Sequence, residues 1–407
     1  MLWKNRDYSQ LKIFISIGAG YKQAPLIEEA KRMGYHIIGV DRNTNATGIC
    51  KCDIKIQEST DNYEDIYTKI NELLIDGEVE VVLSKSFGPA IKTACFISNK
   101  LNIPLIPYNR IDDFIDKKKM KSIFKKNKIN SPDFSIYNKN NSIAKTKKTE
   151  FPVVIKPLKG HAKTNIELLQ DNSDFERYFN KVIHNNNNNH YIIEKYIKGN
   201  EIIAAGIVHK NKFHLIDIID KITTPPPFFV DLMHISPSKY LHLWDEVVEV
   251  GQQIADAFDI STSPLIIELL ITEKDEIFVI EAVPEFGGEY IPEILIPERT
   301  GYNFLRETIK AVIGNGFSPP RQKKGKENII VKYITGENGT LTSLNPVCPS
   351  RVNGVIFSQI FKDIGSKIRN PETNHDRIGV LIARGRTRED AIHTAQKAEL
   401  SLDVKIK

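Results

Sequence analysis

One segment, residues 265–288, limits most strongly what this chain can fold into. Two apolar, β-branched runs flank a polar break of five residues, and this pattern predicts an antiparallel hairpin. If the turn centres on Lys274 and Asp275, Glu268 lies directly opposite Glu281, so that two carboxylates share one face of the sheet. The same register pairs Leu269 with Ile280 and Ile271 with Phe278.

Two glutamates in these positions repel each other. At ~4 Å and an effective dielectric of ~20 the repulsion is about 4 kcal/mol, so the pair alone destabilises the sheet. A bound dication reverses the sign, and Mg²⁺ typically takes one or two carboxylates together with substrate phosphates. The alternative is a register slipped by one residue, which turns both glutamates toward water.

The composition is that of a globular protein. A length of 407 residues predicts two or three domains, with 41% hydrophobic and 26% charged residues. The net charge of +5 is spread along the chain, so the short lysine runs predict solvated faces and no nucleic-acid partner. No apolar stretch approaches ~18 residues and no signal-peptide core is present, which predicts a cytoplasmic protein without a membrane partner. The four cysteines are too scattered for a disulfide framework or a zinc site.

Residues 1–110 have the pattern of a small α/β domain with a parallel sheet. A strand over residues 12–18 runs into Gly18-Ala19-Gly20, a helix follows, and a second strand ends at Asp41, as in a dinucleotide-binding fold. The third position of that fingerprint is Gln23 and not glycine, so the motif indicates NAD only weakly.

Lysines mark the next part of the chain. Residues 112–128 predict a lysine-rich helix, and the apolar run from Phe151 predicts a strand that ends on Lys156. Residues 159–165 add further lysines in a loop, where ammonium groups can contact phosphates as point charges. A surface turn with solvated lysines explains these residues equally well.

The remaining elements follow from periodicity and capping residues. They are a helix capped by Ser173 and Glu176, a polar loop at residues 185–189, strands from Tyr191 and over 202–208 and 212–219, helices over 241–258 and 302–313, a domain boundary at 314–326, and an α+β module with strands near 329–335, 354–361 and 379–384 and a helix capped by Thr387 and Asp390.

In order and spacing, these features resemble an ATP-grasp ligase over essentially the whole chain. Ile17-Gly18-Ala19-Gly20, with Asp41-Arg42-Asn43 after it, is similar to the domain that precedes the grasp fold in this family, a domain that does not hold NAD. Arg377-Ile378-Gly379-Val380 is similar to the C-terminal domain of the L-amino-acid ligase branch, which belongs with the carbamoyl-phosphate-synthase-like carboxylate–amine ligases.

The resemblance implies a fold of mixed α/β and α+β class in three domains. A Rossmann-like pre-ATP-grasp domain would occupy residues 1–110. The ATP-grasp domain would occupy 111–320, with a mobile lid subdomain at about 150–198. A small α+β domain would complete the chain at 321–407.

ATP and Mg²⁺ are the cofactors that the resemblance implies. Lys117 and Lys156 resemble the two lysines that contact ATP phosphates, and Lys163 lies in the loop expected to cover them. Glu268 and Glu281 resemble the magnesium ligands, in agreement with the hairpin argument.

The adenosine part of ATP would lie against a second group of residues. Glu194, Lys195, Tyr196 and Ile197 resemble the hinge that hydrogen-bonds the adenine through the glutamate and through backbone groups. Glu201 resembles the acid that holds the ribose.

This chain departs from the family near the metal. The family commonly has Glu-x-Asn-x-Arg there, whereas the chain has Glu281-Ala282-Val283-Pro284-Glu285. A valine cannot bind metal, so one of two magnesium sites would be missing, or completed by Glu285 or Glu289. The departure, together with a loop that contains only Gly160 as glycine, implies either a cationic substrate held by Glu285 and Glu289 or a nucleotide-binding protein with little turnover.

The implied reaction has two steps, with Lys156 and Glu285 as candidate catalytic residues. ATP phosphorylates a small carboxylic acid, for which we expect an amino acid, and an amine then displaces phosphate. Both substrates are small molecules, and the resemblance allows a homodimer. Two alternatives remain open: a bicarbonate-using carboxylase of the same fold, and a degenerate module that binds ATP with little turnover.

Overall fold

The structure is a computed structural model that describes residues 11–73, 78–86, 88–139, 150–158, 160, 163–183, 190–288, 290–321, 327–346 and 348–407. The polar loop predicted at 185–189 and Glu289 lie outside the described residues, as do residues 159, 161 and 162 of the predicted phosphate loop. No helix in the described ranges is long and apolar enough to cross a membrane.

The N-terminal part is a parallel sheet of four strands in the order β3-β2-β1-β4, which confirms the predicted α/β unit. Its elements are β1 (Lys12–Ile17), α1 (Ala24–Arg32), β2 (His36–Val40), β3 (Ile54–Ile56), α2 (Tyr63–Leu73), β4 (Glu78–Leu83) and α3 (Pro89–Lys100).

Asp41, the acid at the end of β2, is engaged within this domain. Its Oδ2 accepts a hydrogen bond from the backbone N–H of Ala19 at 3.0 Å, and its Oδ1 accepts one from Asn43 at 2.9 Å. The backbone N–H of Gly48 donates to the carbonyl of Ala19 at 2.7 Å, and a Cβ on Gly48 would collide with that carbonyl. Asp41 therefore holds the Gly-Ala-Gly turn, which leaves a dinucleotide ribose without its usual acid.

The predicted lysine-rich helix is two helices, α4 (Asp112–Ile115) and α5 (Lys117–Lys126). The break is at Asp116, whose side chain accepts hydrogen bonds from the N–H groups of Lys118 and Lys119 and thereby caps α5. Aspartate is a strong N-cap residue, so a new helix starts here. Lys117 consequently lies in the first turn of α5.

A second sheet is antiparallel, in the order β5-β8-β6-β7, and has its own small hydrophobic core. Its helix begins after Asp171, whose carboxylate accepts from the N–H groups of Ser173 and Asp174. The prediction of Ser173 as the cap was therefore wrong by two residues. The elements are β5 (Phe134–Asn138), β6 (Val153–Pro157), β7 (Glu167–Leu169), α6 (Asn172–Tyr178) and β8 (His190–Lys195).

The largest sheet has eight strands, all antiparallel to their neighbours, in the order β13-β12-β9-β10-β11-β14-β18-β16. Strands from the C-terminal part extend this sheet, because Ser236 on β11 pairs with Ile329 on β14. The strands are β9 (Asn200–His209), β10 (Lys212–Thr223), β11 (Asp231–Ser236), β12 (Thr262–Ile271), β13 (Ile277–Val283), β14 (Asn328–Ile334), β16 (Val355–Ile360) and β18 (Gly379–Gly385).

Four helices and a small fourth sheet, in the order β17-β15-β19, accompany these strands. Thr387 and Asp390 form the predicted capping box of α10. The helices are α7 (Trp244–Ala257), α8 (Ile296–Thr300), α9 (Phe304–Ile313) and α10 (Arg388–Ser401), and the strands are β15 (Gly339–Ser343), β17 (Lys367–Ile368) and β19 (Lys405–Ile406). Short 3₁₀ segments lie at Ile49–Lys51, Tyr108–Arg110, Leu241–Leu243, Cys348–Arg351 and Asn374–Asp376, and π turns at Phe179–Ile183 and Ile291–Leu295.

The hairpin of β12 and β13 has the predicted register only at the end that carries Glu268 and Glu281. Glu268 is paired with Glu281, as predicted. Leu269 is paired with Val279 and not with Ile280, because a β-bulge shifts the register directly after Glu268. The bulge places one extra residue on β13, which displaces every pair between it and the turn.

Helix α7 packs on β10 through Gly251, whose missing side chain admits the ring of Phe213. We expect Gly251→Ala to destabilise the protein by about 1–3 kcal/mol, because overpacking outweighs the gain of about 1 kcal/mol in helix propensity. Chemical denaturation measures the difference. The matched control is Glu249→Ala on the exposed face of α7, and a Gly251→Ala protein as stable as this control would contradict the packing argument.

Candidate functional site

The two glutamates of the hairpin stand side by side, and Lys117 lies against one of them. Its Nζ is 3.0 Å from Glu281 Oε1. Burial alone would lower the pKa of Lys117, but Glu281 outweighs burial and raises the pKa above its usual value. A divalent cation and a phosphate that arrive together can replace this pair without leaving a charge unpaired.

Lys221 is the centre of the site. It lies on β10, directly opposite Glu201 on β9, and its Nζ is 3.1 Å from Glu201 Oε2, 2.9 Å from Glu268 Oε1 and 3.5 Å from Asp231 Oδ1. Burial opposes a charged lysine, yet the three carboxylates raise the pKa of Lys221 well above its usual value. Burial would likewise raise the pKa of Glu268, but Lys221 and Lys163 hold that pKa at about 2. Lys221 and Glu268 are therefore both ionised at neutral pH.

Lys163 brings the loop after β6 to the same acids. Its Nζ is 3.6 Å from Glu201 Oε2 and 3.9 Å from Glu268 Oε2. The backbone of Lys163 has a φ of 59°, a conformation uncommon for a residue other than glycine. The predicted phosphate-loop lysine and the predicted ribose and metal acids thus form one cluster.

Glu194 binds two lysines with its carboxylate. Lys156 Nζ is 2.7 Å from Oε2, and Lys121 Nζ is 3.4 Å from Oε1. Burial lowers the pKa of Lys121 to about 8, with Glu194 opposing the change. Burial would raise the pKa of Glu194, but the two lysines outweigh it and lower the pKa. An adenine amino group would therefore meet a carboxylate that already has two cationic partners.

The predicted adenine hinge follows β8, where part of the backbone is already bonded. The N–H of Lys195 donates to the carbonyl of Asp133 at 2.8 Å, and that of Tyr196 donates to the carbonyl of Pro152 at 3.1 Å. The side chain of Lys195 is exposed, whereas Tyr196 and Ile197 are half-buried. Backbone recognition of a base here depends on the carbonyls and on Ile197.

The C-terminal part reaches this cluster through Asp231. Asn374 Nδ2 donates to Asp231 Oδ2 at 2.8 Å, and Arg377 lies 3.2 Å from the same oxygen. The guanidinium carbon of Arg377 is 3.7 Å from the centre of the Tyr333 ring. Burial would raise the pKa of Asp231, but Lys221, Lys163 and Arg377 outweigh it and lower the pKa.

A cavity of about 1000 Å³ opens beside Glu268 and Glu281. Lys221, Glu285 and Val283 also line it, as do side chains from the N-terminal and C-terminal parts. Burial, and after it the neighbouring Glu281, raises the pKa of Glu285 to about 7.

The oxygen donors present fit a magnesium ion. Glu268 and Glu281 are adjacent carboxylates at the cavity, and Mg²⁺ needs only one or two of these when phosphates and water complete its shell. Val283, at the position where the resemblance to ATP-grasp ligases implies a second ligand, presents an apolar side chain to the cavity. In the described parts of the chain, no group of three or more His, Cys, Asp or Glu side chains could hold a metal ion without such help.

Apart from Lys195, the predicted site residues with charged side chains that the structure describes lie in these clusters or in the cavity wall. Three members of the site were not predicted: Lys121, Lys221 and Asp231. Lys121 follows Lys117 by four residues, so both lie on one face of α5, a spacing that could have indicated it. No local pattern singles out Lys221 or Asp231, because their partners lie on strands distant in sequence.

Two family models match the chain. Residues 149–293 match the ATP-grasp domain, and residues 332–407 match the L-amino acid ligase C-terminal domain 2. Among curated proteins, the carbamoyl phosphate synthase large chain of Clostridium botulinum (strain Loch Maree / Type A3) is 27% identical over 202 residues. The match covers 47% of this chain but only 18% of that relative's length.

Solved structures share the fold over nearly the whole chain. The L-amino acid ligase from Bacillus licheniformis superposes with a TM-score of 0.78 at 18% identity, covering 98% of this chain and 99% of that one. N5-carboxyaminoimidazole ribonucleotide synthetase from Thermotoga maritima gives a TM-score of 0.71 at 17% identity, covering 98% and 100%. At these identities the likeness establishes the fold.

Replacing Lys221 tests the central cluster. We expect Lys221→Met to destabilise the protein by about 3–5 kcal/mol, because three carboxylates then lose their shared, buried cation. The control is Lys198→Met, which removes an exposed pair with Glu273 and should change stability by no more than about 1 kcal/mol. Chemical denaturation of both variants decides the matter, and equal midpoints would show that Lys221 does not hold the cluster together.

Proposed function

We propose that this chain, which belongs to the ATP-grasp ligases and ends in an L-amino acid ligase C-terminal domain, joins a small carboxylic acid to an amine with cleavage of ATP. The observation that carries the proposal is the pair Glu268 and Glu281, side by side at the cavity with Lys117, Lys163 and Lys221 around them. Phosphoryl transfer needs this combination of metal-binding oxygens and phosphate-binding cations.

In this proposal ATP lies between the sheet β5-β8-β6-β7 and the eight-stranded sheet. This position separates a lid at about 150–198 from the rest of an ATP-grasp domain at 111–320. Lys117, Lys156 and Lys163 contact its phosphates and exchange their present carboxylate partners for phosphate oxygens. Glu201 holds the ribose.

The adenine lies along the hinge, where Glu194 and the backbone of Lys195, Tyr196 and Ile197 face it. Glu268 and Glu281 would hold a magnesium ion, which would supply positive charge to the terminal phosphates.

The chemistry then balances in two steps. An oxygen of the substrate carboxylate attacks the γ-phosphorus of ATP, and the bond between this phosphorus and the oxygen that bridges it to the β-phosphate breaks. ADP departs with that oxygen, and an acyl phosphate remains. The nitrogen of a neutral amine attacks the acyl carbon, the carbon–oxygen bond to phosphate breaks, and the proton that the nitrogen loses as the amide forms passes to the departing phosphate. Lys156 stabilises charge on the transferred phosphoryl group, and Glu285 faces the substrates from the cavity wall.

A bicarbonate-using carboxylase is the second candidate. The observation in its favour is the fold shared with N5-carboxyaminoimidazole ribonucleotide synthetase over the whole chain. Bicarbonate would then be the acid that receives the phosphoryl group.

One experiment separates these functions. Phosphate release from Mg-ATP is measured across pairs of amino acids and amines, and with bicarbonate, and the products are identified by mass spectrometry. We expect release that requires an amino acid and an amine together and that yields a condensed product. Release with bicarbonate alone would favour the carboxylase, whereas ATP binding without release would indicate a degenerate module explained by Val283 and Glu285.

The metal assignment is tested at Glu281. We expect Glu281→Gln to abolish Mg-ATP-dependent phosphate release, because the amide removes the anionic oxygens while it preserves the shape of the hairpin. The control is Glu276→Gln, at the exposed turn of the same hairpin. Circular dichroism checks that both variants fold, and full turnover by Glu281→Gln would remove this residue from the metal site.

A further inference from the structure

The carboxylates around the cavity differ in whether a basic side chain is bound to them. Among the described residues, seven line it, and six of these form ion pairs with basic side chains. The six are Glu28 with Arg32 and Lys51, Glu29 with Arg32 and Arg306, Asp231 with Lys221 and Arg377, Glu268 with Lys221 and Lys163, Glu281 with Lys117, and Glu293 with Lys85.

Glu285 is the seventh. Its side chain has no ion pair and no hydrogen bond within the part of the chain that the structure describes, although it is half-buried. Lys85 is the lysine with the largest influence on it, and the Nζ of Lys85 is bound to Glu293 at 3.2 Å. A carboxylate withdrawn from water without a partner is unfavourable, so the free protein leaves this position open for a ligand.

Aromatic rings form another part of the cavity wall. Tyr290 and Phe357 have ring centres 5.0 Å apart, and Tyr333, whose ring already carries the guanidinium of Arg377, also lines the cavity. The hydroxyl of Tyr290 donates to Gln359 Oε1 at 2.6 Å, which fixes the ring. Aromatic faces attract ammonium and guanidinium groups, so a cavity lined both by these rings and by a carboxylate without a partner suits a cation.

We propose that one substrate carries a group that is positively charged at neutral pH, an ammonium or a guanidinium, which pairs with Glu285 in the cavity. The inference rests on the proposed function and names the substrate class of the same site. The reacting amine must be neutral to attack an acyl phosphate, so the group that Glu285 holds as a cation is a different one. A basic amino acid meets this requirement, since its side-chain charge is remote from its reacting α-groups.

The test compares pairs of amino acids with similar side-chain shape that differ in charge. The full-length protein, saturated with Mg²⁺ and a non-hydrolysable ATP analogue, is titrated calorimetrically with L-lysine and L-norleucine, and with L-arginine and L-citrulline. We expect a preference of about tenfold or more for the charged member of at least one pair. Glu285→Gln should bring that ratio close to one, and Glu28→Gln, at a lining carboxylate that is already paired with Arg32 and Lys51, should preserve it.

Three outcomes would overturn the inference: equal affinities in the wild type, no binding of any of the four amino acids, or a preference retained in Glu285→Gln. Binding of the ATP analogue is the folding check for both variants. Failure of the proposed function is seen separately, as absence of ATP-analogue binding or as absence of phosphate release with every substrate pair. If Glu285 acts as a general base, Glu285→Gln lowers turnover for all amines and leaves the affinity ratio unchanged. That result would also count against the inference.

Discussion

The ammonium group of Lys221 and the acids that share it determine how the site is built. Glu268, Glu201 and Asp231 come from β12, β9 and β11, and each is within 3.5 Å of the Lys221 Nζ on β10. Four neighbouring strands are thereby joined by charge as well as by backbone hydrogen bonds. Because the strand pairing fixes Lys221 opposite Glu201, the carboxylate of Glu268 is oriented toward the cavity before any ligand arrives. The acidic site is preorganised, and its repulsion is relieved without a metal.

The sequence predicted the parts of the site that depend on local pattern. The pair Glu268 and Glu281 follows from a hairpin symmetric about its turn, and this pairing is confirmed. The pairs nearer the turn were wrong, since a β-bulge leaves no signature in the alternation of apolar residues that a short hairpin provides. The strands 202–208 and 212–219 were predicted within longer observed strands, and most helices were predicted within a few residues of their ends.

What the sequence did not predict depends on which distant strands become neighbours. Lys221 and Asp231 join the site only because β10 lies between β9 and β11 while β12 packs on the other side of β9. The break in the lysine-rich helix was also missed, although Asp116 is a good N-cap, because apolar periodicity continues through it. The open partner position at Glu285 is a property of the assembled cavity, where every other lining carboxylate of the described residues has its cation.

The C-terminal part supplies β14, β18 and β16 to the eight-stranded sheet, and β14 pairs directly with β11. If these strands were absent, β11 would become an edge with a row of unpaired N–H and C=O groups, open to pairing with another chain. Asp231, at the start of β11, would at the same time lose Arg377 and Asn374. The C-terminal part therefore protects the grasp sheet from self-association, and exchanging it for another domain requires a strand that fits β11 in the same register.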